Sequence, residues 1–168
     1  MARIDRQKRA MGGAVKRTKP SQAARVLVDR LLTVGRVLDY GCGYGYDADE
    51  FGWDAYDPFY RPTNLVGSYD TIVCTHVLNA LTRNNRASVI QDVRALLADE
   101  GIAYLAVRRD LPISGKSGIN HSLQNYIVFT LPSIFEDDKL KIYEMTKKAE
   151  FDDKTKDFKS LRDRRRDR

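Results

Sequence analysis

Three glycines and two aspartates carry the clearest chemistry. Gly41, Gly43 and Gly45 follow directly on the apolar run Val37–Tyr40. Asp39 stands two residues before the first glycine, and Asp57 ends the next short apolar run, from Asp54. A strand, a glycine loop and a helix in this order cradle nucleotide cofactors. The dinucleotide version is Gly-x-Gly-x-x-Gly, whose third glycine lets helix and strand pack closely. Here that third position is Tyr46, and Gly45 comes one residue early. The phosphate loop Gly-x-x-x-x-Gly-Lys-Ser/Thr is absent. A carboxylate at Asp39 repels a pyrophosphate and suits an ammonium or sulfonium. An acid at the end of the second strand, as at Asp57, accepts hydrogen bonds from ribose hydroxyls. Ribose joined to a cationic amino-acid arm describes S-adenosyl-L-methionine, and the same two positions disfavour a nicotinamide cofactor. The alternative is a plain tight turn, with Asp39 and Asp57 as strand-end caps.

The elements that would position these residues follow from spacing. Ser21 precedes Ala23, Ala24, Val26, Leu27, Leu31 and Leu32, so a helix starts there and runs to Gly35. Arg36–Tyr40 and Asp54–Asp57 read as strands around a short helical turn over 46–51. The run Thr71–His76 is continuous and β-branched, as a strand covered on both faces would be. Ala87, Ile90, Val93, Leu96 and Leu97 recur at helical spacing, with Gly101 as the stop. Ile102–Val107 reads as a buried strand, and Tyr126–Thr130 and Leu140–Thr146 as two more. Strands alternating with helices predict an α/β, Rossmann-like, doubly wound and mostly parallel sheet.

On these residues the chain resembles the class I, Rossmann-like S-adenosylmethionine-dependent methyltransferases in a compact form. VLDYGCGYG at Val37–Gly45 resembles their first motif, and AYDP at Ala55–Pro58 their second. YDTIVCTHVLNAL and ALLADEGIAYLAV are similar to their fourth strand and the helix–strand unit after it. The resemblance implies a methyltransferase using S-adenosyl-L-methionine and no metal. It implies cofactor contacts from Asp39, Tyr40, Gly41, Cys42, Gly43 and Gly45, then Asp57 and Pro58, then His76 and Val77. Two departures stand out. Gly45 and Asp57 are too close for a full helix, and the thirteen residues from Asp57 to Asp70 leave no room for the usual third strand and its adenine contact. The second half-unit is therefore shortened, and either Asn64–Ser68 supplies the adenine pocket as a loop or adenine is held weakly.

Methyl transfer from a sulfonium asks mainly for positioning and desolvation. A base is needed only for a protonated nucleophile. Catalytic candidates leave the strand ends: His76 as base or packing residue, Asn79, and Arg108 with Arg109, of which one could meet an anion, the alternative being a salt bridge to Asp110. Cys74 reads as a core thiol and Cys42 as a spacer. His121 and Gln124 could form an acceptor-side loop. Tyrosines 40, 44, 46, 56, 60 and 69 gather near the cofactor segment, where rings can stack on a base.

The chain of 168 residues has a formal net charge of +6. That charge is exported to the ends: residues 1–20 hold seven bases and one acid, residues 154–168 eight bases and three acids. The expected division is a basic arm over 1–20, a methyltransferase domain over 21–150 and a basic tail over 151–168. Such ends suit a nucleic acid or a nucleic-acid-containing protein assembly. Two cysteines and the lack of a membrane-length apolar run or secretory leader fit a cytoplasmic protein, with no membrane partner. The rival reading is a non-catalytic Rossmann-like binding or scaffold subunit, favoured by the missing third strand.

Overall fold

The computed structural model describes residues 13–117 and 122–159. His121, Gly118, the first twelve residues of the basic arm and the Arg164–Arg166 run lie outside the described residues.

Ser21 caps the first helix, α1 (Gln22–Asp29); its hydroxyl accepts the Ala24 amide at 3.1 Å. The helix ends sooner than the apolar spacing predicts, because Leu31 turns into a left-handed conformation (φ 58°) and is exposed. Four parallel strands follow: β1 (Val37–Tyr40), β2 (Asp54–Tyr56), β3 (Tyr69–Thr75) and β4 (Leu97–Arg108). Between β1 and β2 stands the short helix α2 (Tyr46–Phe51). Between β3 and β4 a 3-10 turn (Leu78–Ala80) leads into α3 (Arg83–Leu96).

Beyond β4 the chain forms a two-stranded hairpin, β5 (Lys116–Ser117) with β6 (Leu123–Gln124). It then returns as β7 (Ser133–Glu136) and β8 (Leu140–Thr146), both antiparallel to their neighbours. The main sheet has the order β2-β1-β3-β4-β8-β7. The third strand is indeed missing: β2 is the sheet edge, and the chain after it makes an Asp57–Arg61 bridge before entering β3. No helix among the described residues is long and apolar enough to cross a membrane.

Strand alternation splits the core in two. Leu38, Ile72, Cys74, Leu105 and Met145 face α3, which contributes Ile90 and Val93. Val37, Val73, Tyr104, Ala106 and Ile142 face the other way, against Ala23 and Leu27 of α1. Each face of the sheet is thus sealed by one amphipathic helix, and the strand ends are left to form the site.

Three expectations need correction. Gly101 does not stop a helix. The α3 helix passes straight into β4, and a Cβ at Gly101 would stand 2.7 Å from the Tyr69 carbonyl, at the register shift between β3 and β4. Tyr126–Thr130 is extended but unpaired apart from one Phe129–Asp153 bridge; its buried Ile127 and Phe129 pack into the core instead of a ladder. Residues 151–159, counted above with the basic tail, pack against the body. Buried Arg86 binds Asp153 at 2.8 Å and Asp157 at 2.7 Å, and the Phe158 amide donates to Asn125 Oδ1 at 2.8 Å.

Candidate active site

The C-terminal ends of β1, β2 and β3 open into a cavity of about 220 Å³. This is where ligands bind in open α/β sheets. From β1 come Asp39, Tyr40, Gly41, Cys42 and Gly43; after β2 come Asp57 and Pro58; after β3 come His76 and Val77. Nine of the ten expected cofactor residues therefore meet in one place. Gly45 stands just outside, as the left-handed N-cap of α2, with its amide on the Cys42 carbonyl at 2.9 Å.

The glycine loop is pinned from two sides. Gly41 and Cys42 donate their amides to the Tyr56 carbonyl at 2.7 and 3.0 Å. Gly43 donates to Asp57 Oδ2 at 3.1 Å, while Asp57 Oδ1 accepts the Phe59 and Tyr60 amides at 2.8 and 3.0 Å. A carboxylate has about four acceptor positions, so Asp57 keeps one beyond these three bonds. Gly41 adopts φ 78°, and a Cβ there would lie 2.3 Å from Val77 Cγ2. Gly43 adopts φ 57°, with Ala14 Cβ 2.6 Å from its own would-be Cβ.

The floor of the cavity is acidic. Asp39 is 4% exposed and Asp47 7% exposed. Burial lifts the Asp39 carboxyl to about 7; the Asp47 charge adds to this, and Arg17 opposes it. Burial, and after it the Asp39 and Asp57 charges, push the Cys42 thiol up to about 12, which keeps it an inert spacer. Cys74 is fully buried and its thiol is pushed up as well, by burial and Asp39.

At the end of β3, His76 holds a left-handed backbone (φ 60°), rare for a residue with a side chain. Burial, aided by Arg17 and Arg108, lowers its imidazole to about 4, so it is neutral at physiological pH. His76 Nδ1 and Thr75 Oγ1 are the buried side-chain atoms without a hydrogen-bond partner among the described residues. Both residues line this cavity. Orphaned buried polar atoms are uncommon and mark places where a ligand or water completes the bonding. The other end of the wall is apolar: Pro58, Phe59, Val77, Ala80, Leu81 and Val89. The Asn64–Ser68 loop does not line the cavity.

The remaining catalytic candidates are not in the cavity. Asn79 is a staple: its Nδ2 donates to the Asn125 carbonyl at 2.8 Å and its Oδ1 accepts the Arg108 amide at 3.0 Å. Arg108 forks onto Asp110 with two bonds of 2.9 Å, and Arg109 pairs with Glu136. Gln124 lies in β6, paired with Lys116. Of the tyrosines, Tyr40 and Tyr60 reach the cavity, while Tyr69 is buried at the far end of β3.

Sequence reasoning missed the roof. Residues 13–20, counted above as part of a basic arm, run across the cavity mouth and supply Gly13, Ala14, Val15 and Arg17 to its lining. Asp47 was missed too, although an acid in the first turn after a glycine loop is a readable signal.

A sheet with these strand ends, this glycine loop and an acid at the end of each of its first two strands defines the Rossmann-like fold of the S-adenosylmethionine-dependent methyltransferases. A family model described as a methyltransferase domain matches residues 14–151. The chain belongs to that methyltransferase-domain family. No curated protein sequence matches it. Among solved structures it is similar to the Burkholderia thailandensis 1,6-didemethyltoxoflavin-N1-methyltransferase with bound 1,6-didemethyltoxoflavin and S-adenosylhomocysteine. That likeness has a TM-score of 0.51 and 14% identity over 73% of this chain and 75% of that one. The DhpI–SAH complex matches with a TM-score of 0.50 and 12% identity over 73% of this chain and 82% of the other. Likeness at such identities is a likeness of fold.

Proposed function

We propose that this protein transfers a methyl group from S-adenosyl-L-methionine to an acceptor that enters beside Thr75 and His76. The observation that carries the reading is the convergence of two unlike features in one cavity. Buried acids stand at one end, and two orphaned polar atoms stand at the end of β3. Bound there, S-adenosyl-L-methionine supplies an electrophilic methyl on a sulfonium. Asp39 and Asp47 favour its cationic arm, because charges attract more strongly where water is excluded. Asp57 offers its remaining acceptor position to a ribose hydroxyl. The apolar wall of Val77, Leu81 and Val89 excludes water from a purine. Neutral at pH 7, His76 keeps a free imidazole lone pair, which an imidazolium would lack, and can accept a hydrogen bond through Nδ1. It is thus suited to orient an N–H or O–H group at the acceptor end.

The test is calorimetric titration of the purified chain with S-adenosyl-L-methionine, followed by detection of S-adenosylhomocysteine on incubation with candidate acceptors. Saturable one-to-one binding that is lost in Asp39→Ala supports the reading. No binding at millimolar cofactor would sink it.

A further inference from the structure

The roof of the cavity is anchored on the glycine-loop side. The Ala14 amide donates to the Tyr60 hydroxyl at 3.2 Å, and Ala14 backs directly onto Gly43. The Tyr46 hydroxyl donates to the Thr18 carbonyl at 3.2 Å, and the Ser21 amide to Asp47 Oδ1 at 2.8 Å. Between these anchors Arg17 faces the mouth. It is the one Lys or Arg in the lining among the described residues, set against the acids Asp39, Asp47 and Asp57. Asp57 spends three acceptor positions on backbone amides. The acids best placed to meet a ligand are therefore Asp39 and Asp47, buried below, with an exposed guanidinium above.

That vertical separation of charge suits a zwitterion. An α-amino acid group carries an ammonium and a carboxylate a few bonds apart. We infer that Arg17 binds the α-carboxylate of the methionyl arm of S-adenosyl-L-methionine, while the ammonium of the same arm faces Asp39 and Asp47. The inference rests on the methyltransferase reading. A guanidinium presents a planar fork that matches a carboxylate with two parallel bonds. Hydrated and unpaired at the mouth, Arg17 contributes little to the fold. Once a ligand closes the mouth and water leaves, its attraction grows. The anchors decide in favour of the cofactor over an anionic acceptor. Gly43, Tyr46 and Asp47 belong to the glycine loop and α2, whereas the orphaned Thr75 and His76 atoms lie at the end of β3.

Two ligands separate this role from packing of the roof: S-adenosyl-L-methionine and its decarboxylated form, which keeps the sulfonium and the amine but lacks the carboxylate. Calorimetry on Arg17→Gln should show roughly 10- to 100-fold weaker binding of S-adenosyl-L-methionine, as expected for loss of a charged hydrogen-bond pair. Binding of the decarboxylated form should be unchanged, and Arg17→Lys should recover part of the loss. Equal melting temperatures of wild type and Arg17→Gln would confirm that the variant folds. If Arg17→Gln binds S-adenosyl-L-methionine as the wild type does, or weakens both ligands alike, the carboxylate role is overturned and the methyltransferase reading stands. A wild type that binds neither ligand overturns both.

Discussion

The carboxylate of Asp57 accepts the backbone amide of Gly43 at 3.1 Å, fourteen residues back along the chain. With the Phe59 and Tyr60 amides on its other oxygen, one side chain joins the glycine loop to the turn after β2. Asp57 is therefore a structural bolt as well as a candidate ribose acid. Replacing it by alanine removes the acceptor from three amides, and partial rehydration limits the loss to about 2–4 kcal/mol. Asp57→Asn keeps one acceptor oxygen and should lose less stability while still losing cofactor affinity. Urea unfolding of both variants checks this. Unchanged stability in Asp57→Ala would mean that the loop holds itself and that the carboxylate serves only the ligand.

Asp39 should trade stability for binding. Its carboxyl is raised from 3.8 to about 7, chiefly by burial and then by Asp47. The folded state therefore holds a proton that the unfolded chain has already released. Folding is helped at low pH, and that help is lost as pH rises through about 7. Asp39→Asn removes the titration. Its ligand-free melting temperature should exceed the wild type's above pH 7, corresponding to on the order of 2–4 kcal/mol, and the difference should shrink toward pH 4. Cofactor affinity should move the other way, rising with pH between 6 and 8 in the wild type and staying flat and weak in Asp39→Asn. A wild type whose affinity ignores pH over that range would show that Asp39 is already charged.

Gly41 and Val77 should behave as a coupled pair. Alanine at 41 meets both a left-handed backbone, worth ~1–2 kcal/mol, and a clash with Val77 Cγ2. Shortening Val77 removes only the clash. Gly41→Ala with Val77→Ala should therefore be less destabilised than the sum of the single variants, with a coupling of about 0.5–2 kcal/mol. Additive losses would place the whole effect in the backbone.

The segment from Val37 to Asp57 was legible because its chemistry is contiguous: strand, glycines, short helix and acid appear in the order in which they are used. The missing third strand was legible for a simpler reason, since thirteen residues cannot hold it. The roof was not. Ala14 finds Tyr60 and Ser21 finds Asp47 at separations of 46 and 26 residues, and nothing local marks Arg17 as different from the other bases near it. A run of positive charge looks the same whether it is solvated or turned over a cavity. Asn79, Arg108 and Arg109 misled for the converse reason. Polar residues leaving strand ends are as useful for tying the next loop as for touching a ligand, and here each is tied.

Arg86 offers the sharpest test of how the C-terminal segment holds to the body. Its side chain is fully buried, with Nε on Asp153, Nη2 on Asp157 and Nη1 on the Leu81 carbonyl at 2.7 Å. A buried charge is tolerated only when paired, and removing one partner of such a set costs about 3–5 kcal/mol. Arg86→Met should lose about that much at pH 7. Burial alone would raise the Asp153 carboxyl, but hydrogen bonds from Thr155 and Arg86 outweigh it and hold it below the usual value. That contribution is present above the ordinary carboxylate range and is lost as pH falls through the lowered value. In Arg86→Met the burial remains without the guanidinium, so the Asp153 carboxyl should rise and take up a proton on mild acidification. The stability deficit of the variant should therefore narrow from pH 7 to pH 5, while the wild type changes little at this site. Because Leu81 also lines the cavity, cofactor affinity should fall with it. Urea unfolding at the two pH values decides the point: a deficit of the same size at both would mean that Arg86 holds the segment by packing and by the Leu81 carbonyl, not through the Asp153 charge.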